Sequence, residues 1–302
     1  MNKEKAFISA VIYVHNDSGT AAGFVETVYR KFTELFERFE IIVADDHSTD
    51  QTVESLRKIS RDFSKPLTII HMSSFQGKEA AMNAGIDMAI GDYIYQMEST
   101  QDQFDAELLG KAFEAMRGKY DIMSVAPRDT ALSGRIFYQL FNASSGGSAQ
   151  IGTECFSIVT RRAVNRVHAI SEYLPYRKSA FAASGLPYQR MCSDSVRAHE
   201  RNTSFSTGVE SLLLYTRLGY RFSAVITGVM LLLAVAELIY TIVIFCMGIP
   251  IEGWTTLALF ITFGFAGVFL IMSIVIRYLS LLLEIIFRRQ RYLVSDVEII
   301  QK

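Results

Sequence analysis

The chain has 302 residues, half of them hydrophobic and 20% charged, and its formal net charge at pH 7 is −1. This length fits one large domain with additional segments, and a balanced charge gives no overall field that would attract nucleic acid, so we expect no nucleic-acid partner. The three cysteines, Cys155, Cys192 and Cys246, share no short spacing. They predict neither a disulfide framework nor a zinc site, and they favour a reducing compartment.

The first 127 residues alternate between strand-like and helix-like segments. The predicted strands are, in chain order, "AFISAVIYVHND", "FEIIVADDHSTD", "PLTIIHMS", "DYIYQME" and "YDIMSVAP". The predicted helices between them are "GTAAGFVETVYRKFTELF", "DQTVESLRKISRDF", "GKEAAMNAGIDMAI" and "DAELLGKAFEAM". This alternation predicts an α/β domain with a mostly parallel, Rossmann-like sheet and helices on both faces.

Polar side chains gather where the predicted strands end. These residues are Asp17, Asp45, Asp46, Glu98 and Asp102. Ligands of parallel α/β sheets bind outside the carboxyl ends of the strands, so this group predicts a binding site at that edge.

The glycine-rich phosphate motifs of common nucleotide enzymes do not occur in the chain. No G-x-G-x-x-G follows the first strand and no G-x-x-x-x-G-K-S/T is present, which disfavours a dinucleotide oxidoreductase or a P-loop nucleotidase. Gly77 and Lys78 do precede a predicted helix, where phosphate is readily bound. A helix start with a solvated lysine is the alternative, and on this motif alone it is the better interpretation.

Two long apolar runs follow residue 221. Residues 222–247 carry Glu237 as their single charge, and residues 254–276 carry none. Each run exceeds the roughly 20 residues that a helix needs to cross a bilayer core. A pair of buried helices in a soluble protein is disfavoured, because such helices are rarely apolar on every face for so long. The sequence therefore predicts a transmembrane helical hairpin.

Basic residues set the orientation of this hairpin. Arg217 and Arg221 precede the first span and Arg277 opens a basic segment after the second, whereas the linker "GIPIEG" has no basic residue. The positive-inside rule then predicts that both ends lie on the cytoplasmic side of the inner (plasma) membrane. Glu237 would face the partner helix or another protomer, which leaves a homo-oligomer open.

Several motifs in this order resemble one enzyme family. The segments "SAVIYVHND", "EIIVADDHSTDQT" and "GKEAAMNAGIDMAIGDYI", with the two apolar runs and the closing "RRQRYLV", are similar to family-2 glycosyltransferases of the GT-A fold. The resemblance is closest to dolichyl-phosphate mannose synthases and bacterial polyprenyl-phosphate glycosyltransferases, and it covers essentially the whole chain. It implies a GT-A domain in residues 1–200, an amphipathic juxtamembrane segment in 201–221, spans at 222–247 and 254–276, and an amphipathic, basic cytoplasmic tail in 277–302.

The resemblance also implies a nucleotide-sugar donor, with UDP favoured. By position in the motifs, the residues expected to bind the nucleotide are Tyr13, His15, Asp17, Asp45, Asp46 and Lys78. Carboxylates suit this task because they accept hydrogen bonds from a base N–H or a ribose hydroxyl. For Asp46 the alternative is a cap of the turn in "DDHST".

The implied acceptor is a polyprenyl phosphate. Its phosphate is already ionised, so the enzyme would mainly position the substrates and neutralise the leaving diphosphate. Arg161, Arg201 and Ser204 match positions expected near the acceptor phosphate, with a solvated helix start as an equal alternative for Arg161. Glu154 is a candidate for catalysis on the acceptor side.

The expected metal motif is altered. Where the family has Asp-x-Asp, this chain has Glu98, Ser99 and Thr100, with Asp102 two residues later. The resemblance implies Mg²⁺ or Mn²⁺, with Thr100 and Asp102 as candidate ligands and Glu98 and Asp102 as candidate catalytic residues. Hard cations prefer carboxylate to hydroxyl oxygen, so two hypotheses follow. One is an active membrane glycosyltransferase with a modified metal site; the other is a weak or inactive relative that binds nucleotide sugar or lipid as an assembly partner.

Overall fold

The structure, a computed structural model, describes residues 3–128, 152–170, 176–197 and 292–301, together with isolated positions between residues 229 and 282. The predicted juxtamembrane segment and both predicted spans lie outside the described residues, apart from those isolated positions, and so do Arg201 and Ser204. Within the described part of the chain, no helix is both long enough and apolar enough to cross a bilayer.

The chain divides into two compact units. One comprises Met1–Gly208 together with Gln290–Lys302, and the other comprises Val209–Arg289. The second unit is described only at isolated positions, and those between residues 257 and 282 are helical. The first unit contains the α/β domain.

The α/β domain contains the nine elements predicted from the first 127 residues, followed by further strands and helices. The strands are β1 Glu4–Val14, β2 Phe36–Asp45, β3 Leu67–Met72, β4 Tyr93–Met97, β5 Ile122–Pro127, β6 Phe156–Thr160, β7 Tyr188–Ser193 and β8 Val294–Ile300. The helices are α1 Ala21–Leu35, α2 Thr52–Ser60, α3 Lys78–Met88, α4 Glu107–Met116, α5 Arg161–Ile170 and α6 Arg177–Ala183.

One eight-stranded sheet joins these strands in the order β7-β5-β6-β4-β1-β2-β3-β8. The pairs β4–β1, β1–β2 and β2–β3 are parallel, as the sequence predicts. The sheet differs from simple alternation at β6, which lies between β4 and β5 and is antiparallel to both. Alternation of helices and strands suggests neighbours in chain order, but it does not reveal a later strand that inserts between them.

Helices cover both faces of the sheet. On one face, two aromatic rings pack against Tyr95 of β4. The ring centroid of Phe32 of α1 lies 4.9 Å from that of Tyr95, and the ring centroid of Phe36, the first residue of β2, lies 6.2 Å from it. On the other face, α3 approaches so closely that a Cβ at Gly85 would lie 2.3 Å from Cγ1 of Val11. These two packed layers fix the strands, and with them the loops at their carboxyl ends.

The C-terminal residues form part of the sheet. The sequence predicted an amphipathic basic tail in 277–302, but Val294–Ile300 form the antiparallel edge strand β8 against β3. The segment "VSDVEII" carries a partly alternating pattern that is compatible with a strand. Seven residues are too short for that pattern to identify a strand without its partner.

Candidate active site

The loops after β1 and β4 meet at the carboxyl edge of the sheet, where the sequence predicted a site. The amide of Gln101 donates a hydrogen bond to the carboxylate of Asp17 at 3.2 Å. The hydroxyls of Thr20 and Thr100 are 2.8 Å apart. The structure therefore brings Asp17 and Thr100 together, as expected for one site.

Asp45, the last residue of β2, lines a pocket of about 420 Å³. Its carboxylate accepts a hydrogen bond from the backbone N–H of Ser48 at 3.1 Å and lies 3.1 Å from Nδ1 of His71. Burial would raise the pKa of Asp45, but the hydrogen bonds from His71 and Ser48 outweigh it and lower the pKa. The carboxylate therefore stays ionised and can accept hydrogen bonds from a ligand through both oxygens.

Asp46 is fully buried, and its carboxylate holds the turn that precedes α3. It accepts hydrogen bonds from the backbone N–H groups of Gln76 at 2.8 Å and Gly77 at 2.9 Å, and from the hydroxyl of Tyr13 at 3.2 Å. Burial and the nearby Asp46 carboxylate raise the pKa of Tyr13, so it remains a neutral donor. Asp46 thus fixes the turn before Lys78, a turn distant in sequence from its own "DDHST".

His15 lies at the start of the loop after β1. Its Nδ1 is 2.7 Å from the backbone carbonyl oxygen of Asp46, so Nδ1 carries the proton that is donated. Its ring lies 4.6 Å from that of Phe75, which is exposed. In the neighbouring loop His47 adopts a φ of 60°, a left-handed conformation that glycine adopts more easily. The turn after β2 therefore places a non-glycine residue in the left-handed region.

Glu98 follows the last residue of β4 and is surrounded by three cations. Its carboxylate lies 3.2 Å from Nζ of Lys78, 3.0 Å from Nη2 of Arg177 and 3.3 Å from Nζ of Lys178. The side chains of Glu98 and Arg177 are only 5% and 1% exposed. Ionised groups this deeply buried are stable only when they are paired and hydrogen-bonded. The contacts around Glu98 are therefore part of the packed interior of the domain.

Two further carboxylates complete this charge cluster. Nη1 of Arg177 is 2.8 Å from Glu79, and Nζ of Lys178 is 3.2 Å from Glu154. Glu154 also accepts a hydrogen bond from the hydroxyl of Ser124 at 2.6 Å. Three cations and three carboxylates thus alternate, and the two sequence-predicted residues Glu98 and Glu154 share the ammonium of Lys178.

Comparison with known proteins identifies the family. The family model for Glycosyl transferase family 2 matches residues 9–182, more than half of the chain. The chain belongs to glycosyl transferase family 2. The enzyme class expected from the motifs is thereby confirmed.

The chain is similar to several proteins that are named as glycosyltransferases or sugar transferases, two of them over nearly its whole length. An uncharacterized glycosyltransferase of Synechocystis sp. is 23% identical over 305 residues, covering 96% of this chain and 95% of the relative. The putative glycosyltransferase CsbB of Bacillus subtilis is 23% identical, covering 99% and 94%. The undecaprenyl-phosphate 4-deoxy-4-formamido-L-arabinose transferase of Pectobacterium atrosepticum is 24% identical, covering 58% and 56%.

The fold is also that of a solved glycosyltransferase. The mannosyltransferase of Pyrobaculum calidifontis, solved with GDP-Man and Mn²⁺, superposes with a TM-score of 0.51 at 16% identity. The match covers 70% of this chain and 63% of the mannosyltransferase. At that identity the likeness establishes the GT-A fold and nothing further.

Thr100 and Asp102, the metal ligands expected in this family 2 glycosyltransferase, lie with Glu98 among buried and bonded side chains. Glu98 is already neutralised by three cations, and the Thr100 hydroxyl is bonded to Thr20. Asp102 is buried in the same loop. No group of three or more His, Cys, Asp or Glu residues in the described ranges could hold a metal ion. Binding of Mg²⁺ or Mn²⁺ by Thr100 and Asp102 therefore stays a prediction.

Arg161 is not part of this site. Its guanidinium donates to the backbone carbonyl oxygens of Gly91, at 3.2 Å, and Ala89, and both precede β4. Because β6 is antiparallel to β4, the residue after β6 lies at the beginning of β4, at the opposite edge of the sheet from Glu98. Arg161 therefore holds the α3–β4 loop. The sequence places Arg161 near the acceptor phosphate, but the antiparallel direction of β6 puts it at the opposite edge of the sheet.

Sequence reasoning missed four residues of the site region. They are Arg177, Lys178, His71 and Glu298. The basic pair in "YRKSA", ahead of a short run of small residues, was a weak signal for the first two. No local signal marked His71 or Glu298, because their roles depend on β3 and β8 being neighbours.

Proposed function

We propose that this family 2 glycosyltransferase transfers a sugar from a nucleotide-sugar donor, with UDP favoured, to a polyprenyl phosphate for cell-envelope glycan or glycoconjugate synthesis. The protein would be anchored by helices at 222–247 and 254–276, with its α/β domain at the cytoplasmic face of the inner (plasma) membrane. The proposal includes a homo-oligomer formed through Glu237.

The observation that carries this proposal is the charge cluster around Glu98. Both proposed substrates bring phosphate to one site, and Lys78 and Lys178 are the cluster's partly exposed cations, with side chains 25% and 11% exposed. Arg177 is buried and would hold Glu98, leaving the two lysines in position to meet phosphate oxygens. In a water-poor cleft, fixed cations stabilise developing negative charge more strongly than water does.

The names of relatives support the lipid acceptor. Besides the Pectobacterium enzyme, the dodecaprenyl-phosphate galacturonate synthase of Rhizobium johnstonii is 29% identical over 116 residues, covering 38% of this chain and 34% of that enzyme. Both names contain a polyprenyl phosphate. A lipid acceptor also accounts for two apolar runs in one chain, because the enzyme must meet its acceptor at a membrane surface.

The proposed chemistry is a single displacement at the anomeric carbon. An oxygen of the acceptor phosphate forms a bond to that carbon, the bond from the carbon to the donor diphosphate breaks, and the nucleoside diphosphate leaves with the electron pair. The nucleophile needs no base because it is already ionised, so rate comes from positioning and from neutralising the leaving group. Asp45 would accept from the nucleobase, and Lys78 and Lys178 would contact the phosphates.

The test is transfer of labelled sugar into lipid. Full-length protein in membranes is incubated with undecaprenyl phosphate and a panel of labelled UDP- and GDP-sugars, and organic-extractable label is counted. We expect label in the lipid fraction with at least one UDP-sugar. No transfer with any donor, together with cells carrying Asp102→Ala that behave as wild type, would overturn the proposed enzyme.

The second candidate is a weak or inactive relative that binds nucleotide sugar or lipid as an assembly partner. The observation in its favour is Thr100, a hydroxyl bonded to Thr20 where the family has an acid. A thermal-shift panel of nucleotides with and without Mg²⁺ or Mn²⁺ separates the two. Nucleotide stabilisation without transfer activity supports this second candidate, and metal-dependent stabilisation by UDP supports the enzyme.

A further inference from the structure

One histidine, His71, connects the C-terminal strand β8 to the pocket lined by Asp45. Nδ1 of His71 is 3.1 Å from the carboxylate of Asp45 on β2, and Nε2 of His71 is 3.3 Å from the carboxylate of Glu298 on β8. Ser295, also on β8, donates its hydroxyl to the backbone carbonyl oxygen of His71 at 3.0 Å and lines the pocket. Residues beyond the two predicted spans thus help to build the pocket wall.

Both ring nitrogens of His71 face carboxylate oxygens. An ionised carboxylate accepts hydrogen bonds but cannot donate them. A neutral imidazole has one N–H, so one of the two contacts would place a nitrogen lone pair against a carboxylate. The doubly protonated imidazolium satisfies both. The hydrogen bond with Asp45, opposed by burial and aided by the hydrogen bond with Glu298, raises the pKa of His71.

Glu298 is itself held in place. Arg57 of α2 donates to both carboxylate oxygens of Glu298, with Nε to Oε1 at 3.0 Å and Nη2 to Oε2 at 2.9 Å. This two-point contact orients the carboxylate more strictly than one bond would. A continuous line of charge-assisted contacts therefore runs from Arg57 through Glu298 and His71 to Asp45.

We propose that Glu298, carried by the C-terminal strand, is a positioning residue of the nucleotide pocket: it fixes His71, which fixes the Asp45 carboxylate that receives the nucleobase. This inference rests on the proposed function, since it assumes that the pocket takes a nucleoside diphosphate. Glu298 does not touch the nucleotide itself. The strand that follows the apolar segments is therefore required for donor binding.

The test compares two variants of the full-length protein that remove one negative charge each from β8. Glu298→Gln breaks the ionic contact to His71. Asp296→Asn is the matched control. Asp296 is opposite His71 in the strand pairing, but its side chain is exposed and accepts a hydrogen bond from the backbone N–H of its neighbour Val297. Binding of UDP and GDP is measured by calorimetry, and the melting temperature of each variant is recorded.

We expect Glu298→Gln to weaken nucleotide binding by about tenfold, a size typical of coupling between linked groups, and Asp296→Asn to leave it unchanged. In a transfer assay, KM for the donor should rise with little change in kcat. If Glu298 only stabilised the sheet, Glu298→Gln would lower the melting temperature without raising KM selectively over kcat.

The pH profile of binding gives a second readout. In the wild type, affinity should fall as the pH rises through the pKa of His71, and in Glu298→Gln this fall should begin at a lower pH because one stabilising carboxylate is gone. The charged groups facing His71 from the packed elements are Asp45, Glu298 and Arg57, with Glu54 beside Arg57. Asp296 is opposite His71 in the strand pairing, and Asp50 and His47 line the same pocket. Asp296→Asn removes one charge opposite His71 but keeps both carboxylates that contact its ring, so the fall in affinity should begin at nearly the wild-type pH.

The outcomes are distinct. If the wild type binds nucleotide and Glu298→Gln binds it equally with the same pH profile, the positioning role is wrong while the proposed function stands. If the wild type binds no nucleotide, the proposed donor is wrong. Should Glu298→Gln fail to fold, Glu298→Asp decides by the same two readouts, because it keeps the charge near Arg57 but withdraws the carboxylate from His71 by one methylene.

Discussion

Nη2 of Arg177 lies 3.0 Å from Oε1 of Glu98, and both side chains are almost completely removed from water. The two residues are 79 positions apart in the chain, on α6 and at the end of β4. The contact ties α6 to the strand end that carries the expected catalytic carboxylate. Loss of Arg177 would remove one of the three cations around Glu98 and also the cation that lies 2.8 Å from Glu79.

Arg177→Met should therefore destabilise the protein strongly. Breaking a buried pair from one side costs up to about 3–5 kcal/mol when the remaining charge is unpaired. That figure is an upper limit here, because Lys78 and Lys178 stay beside Glu98. The control is Arg128→Met, since Arg128 and its partner Asp194 are 67% and 71% exposed and such pairs contribute about 0–1 kcal/mol. Unfolding followed by circular dichroism in denaturant measures both, and equal midpoints for the two variants would contradict the buried pair.

Lys178→Met should lower transfer activity at least about tenfold. Glu98 and Glu154 both lie within 3.3 Å of its Nζ, and without that shared counter-ion the two carboxylates would repel each other and a bound phosphate. Lys178→Arg should recover part of the activity. The control is Lys58→Met, which changes an exposed lysine of α2. If Lys178→Met were as active as this control, the proposed role of the charge cluster would be wrong.

Thr100→Asp should increase the dependence of nucleotide binding on a metal ion. The new carboxylate would be buried beside Thr20, so we expect a lower melting temperature without metal, and recovery when Mn²⁺ and UDP are added together. Thr100→Val, which loses only a hydrogen bond of about 1 kcal/mol, should show no such recovery. The measurement is a thermal-shift titration, and identical responses of the two variants would show that position 100 is not near a bound diphosphate.

Two glycine-to-alanine changes in helices should have opposite effects on stability. At Gly85 of α3 the added Cβ would lie 2.3 Å from Cγ1 of Val11, so Gly85→Ala should cost about 1–3 kcal/mol through overpacking. At Gly23 of α1 no atom lies within 4 Å of the added Cβ, so Gly23→Ala should gain about 0.5–1 kcal/mol from reduced chain entropy. Denaturant midpoints compare them directly. A stabilised Gly85→Ala would mean that α3 packs less tightly on β1 than the structure shows.

The His71 contacts should make stability depend on pH in a defined window. His71 has a raised pKa, so its contribution is complete below its ordinary value of 6.5 and is lost as the pH rises through the folded-state pKa. Asp45 and Glu298 have lowered pKa values, so their contributions are present above 3.8 and 4.5 and are lost as the pH falls through their folded-state values. The combined contribution is greatest between about pH 4.5 and 6.5.

The measurement is the melting temperature from pH 5 to 9. Above pH 6.5, the wild type should lose about 2–4 °C more than His71→Asn, which has no proton to release. Parallel curves for the two proteins would show that His71 is not held as an imidazolium. Binding data are not needed for this comparison, so it stands apart from the nucleotide experiments.

Much of the fold was predictable because its signals are local. Hydrophobic periodicity located the first five strands and four helices to within a few residues, and the order of motifs around Asp45, Lys78 and Glu98 identified the family. The edge of the sheet at which Asp17, Asp45 and Glu98 meet followed from the alternation itself, since parallel strands all end on one side. Those inferences depend on residues near one another in the chain.

What the tertiary structure alone decided is which distant side chains are partners. The insertion of β6 antiparallel to β4 sends Arg161 to the opposite edge of the sheet, and the addition of β8 to β3 brings Glu298 to His71. Asp46 holds a turn 30 residues away, and Arg177 meets Glu98. A side chain's residue type sets the charge and hydrogen bonds it offers, whereas the partner that accepts them depends on strand order, which local patterns do not encode. The sequence alone therefore determined the family and the edge that carries the site, and only packing decided how the charges at that edge are paired.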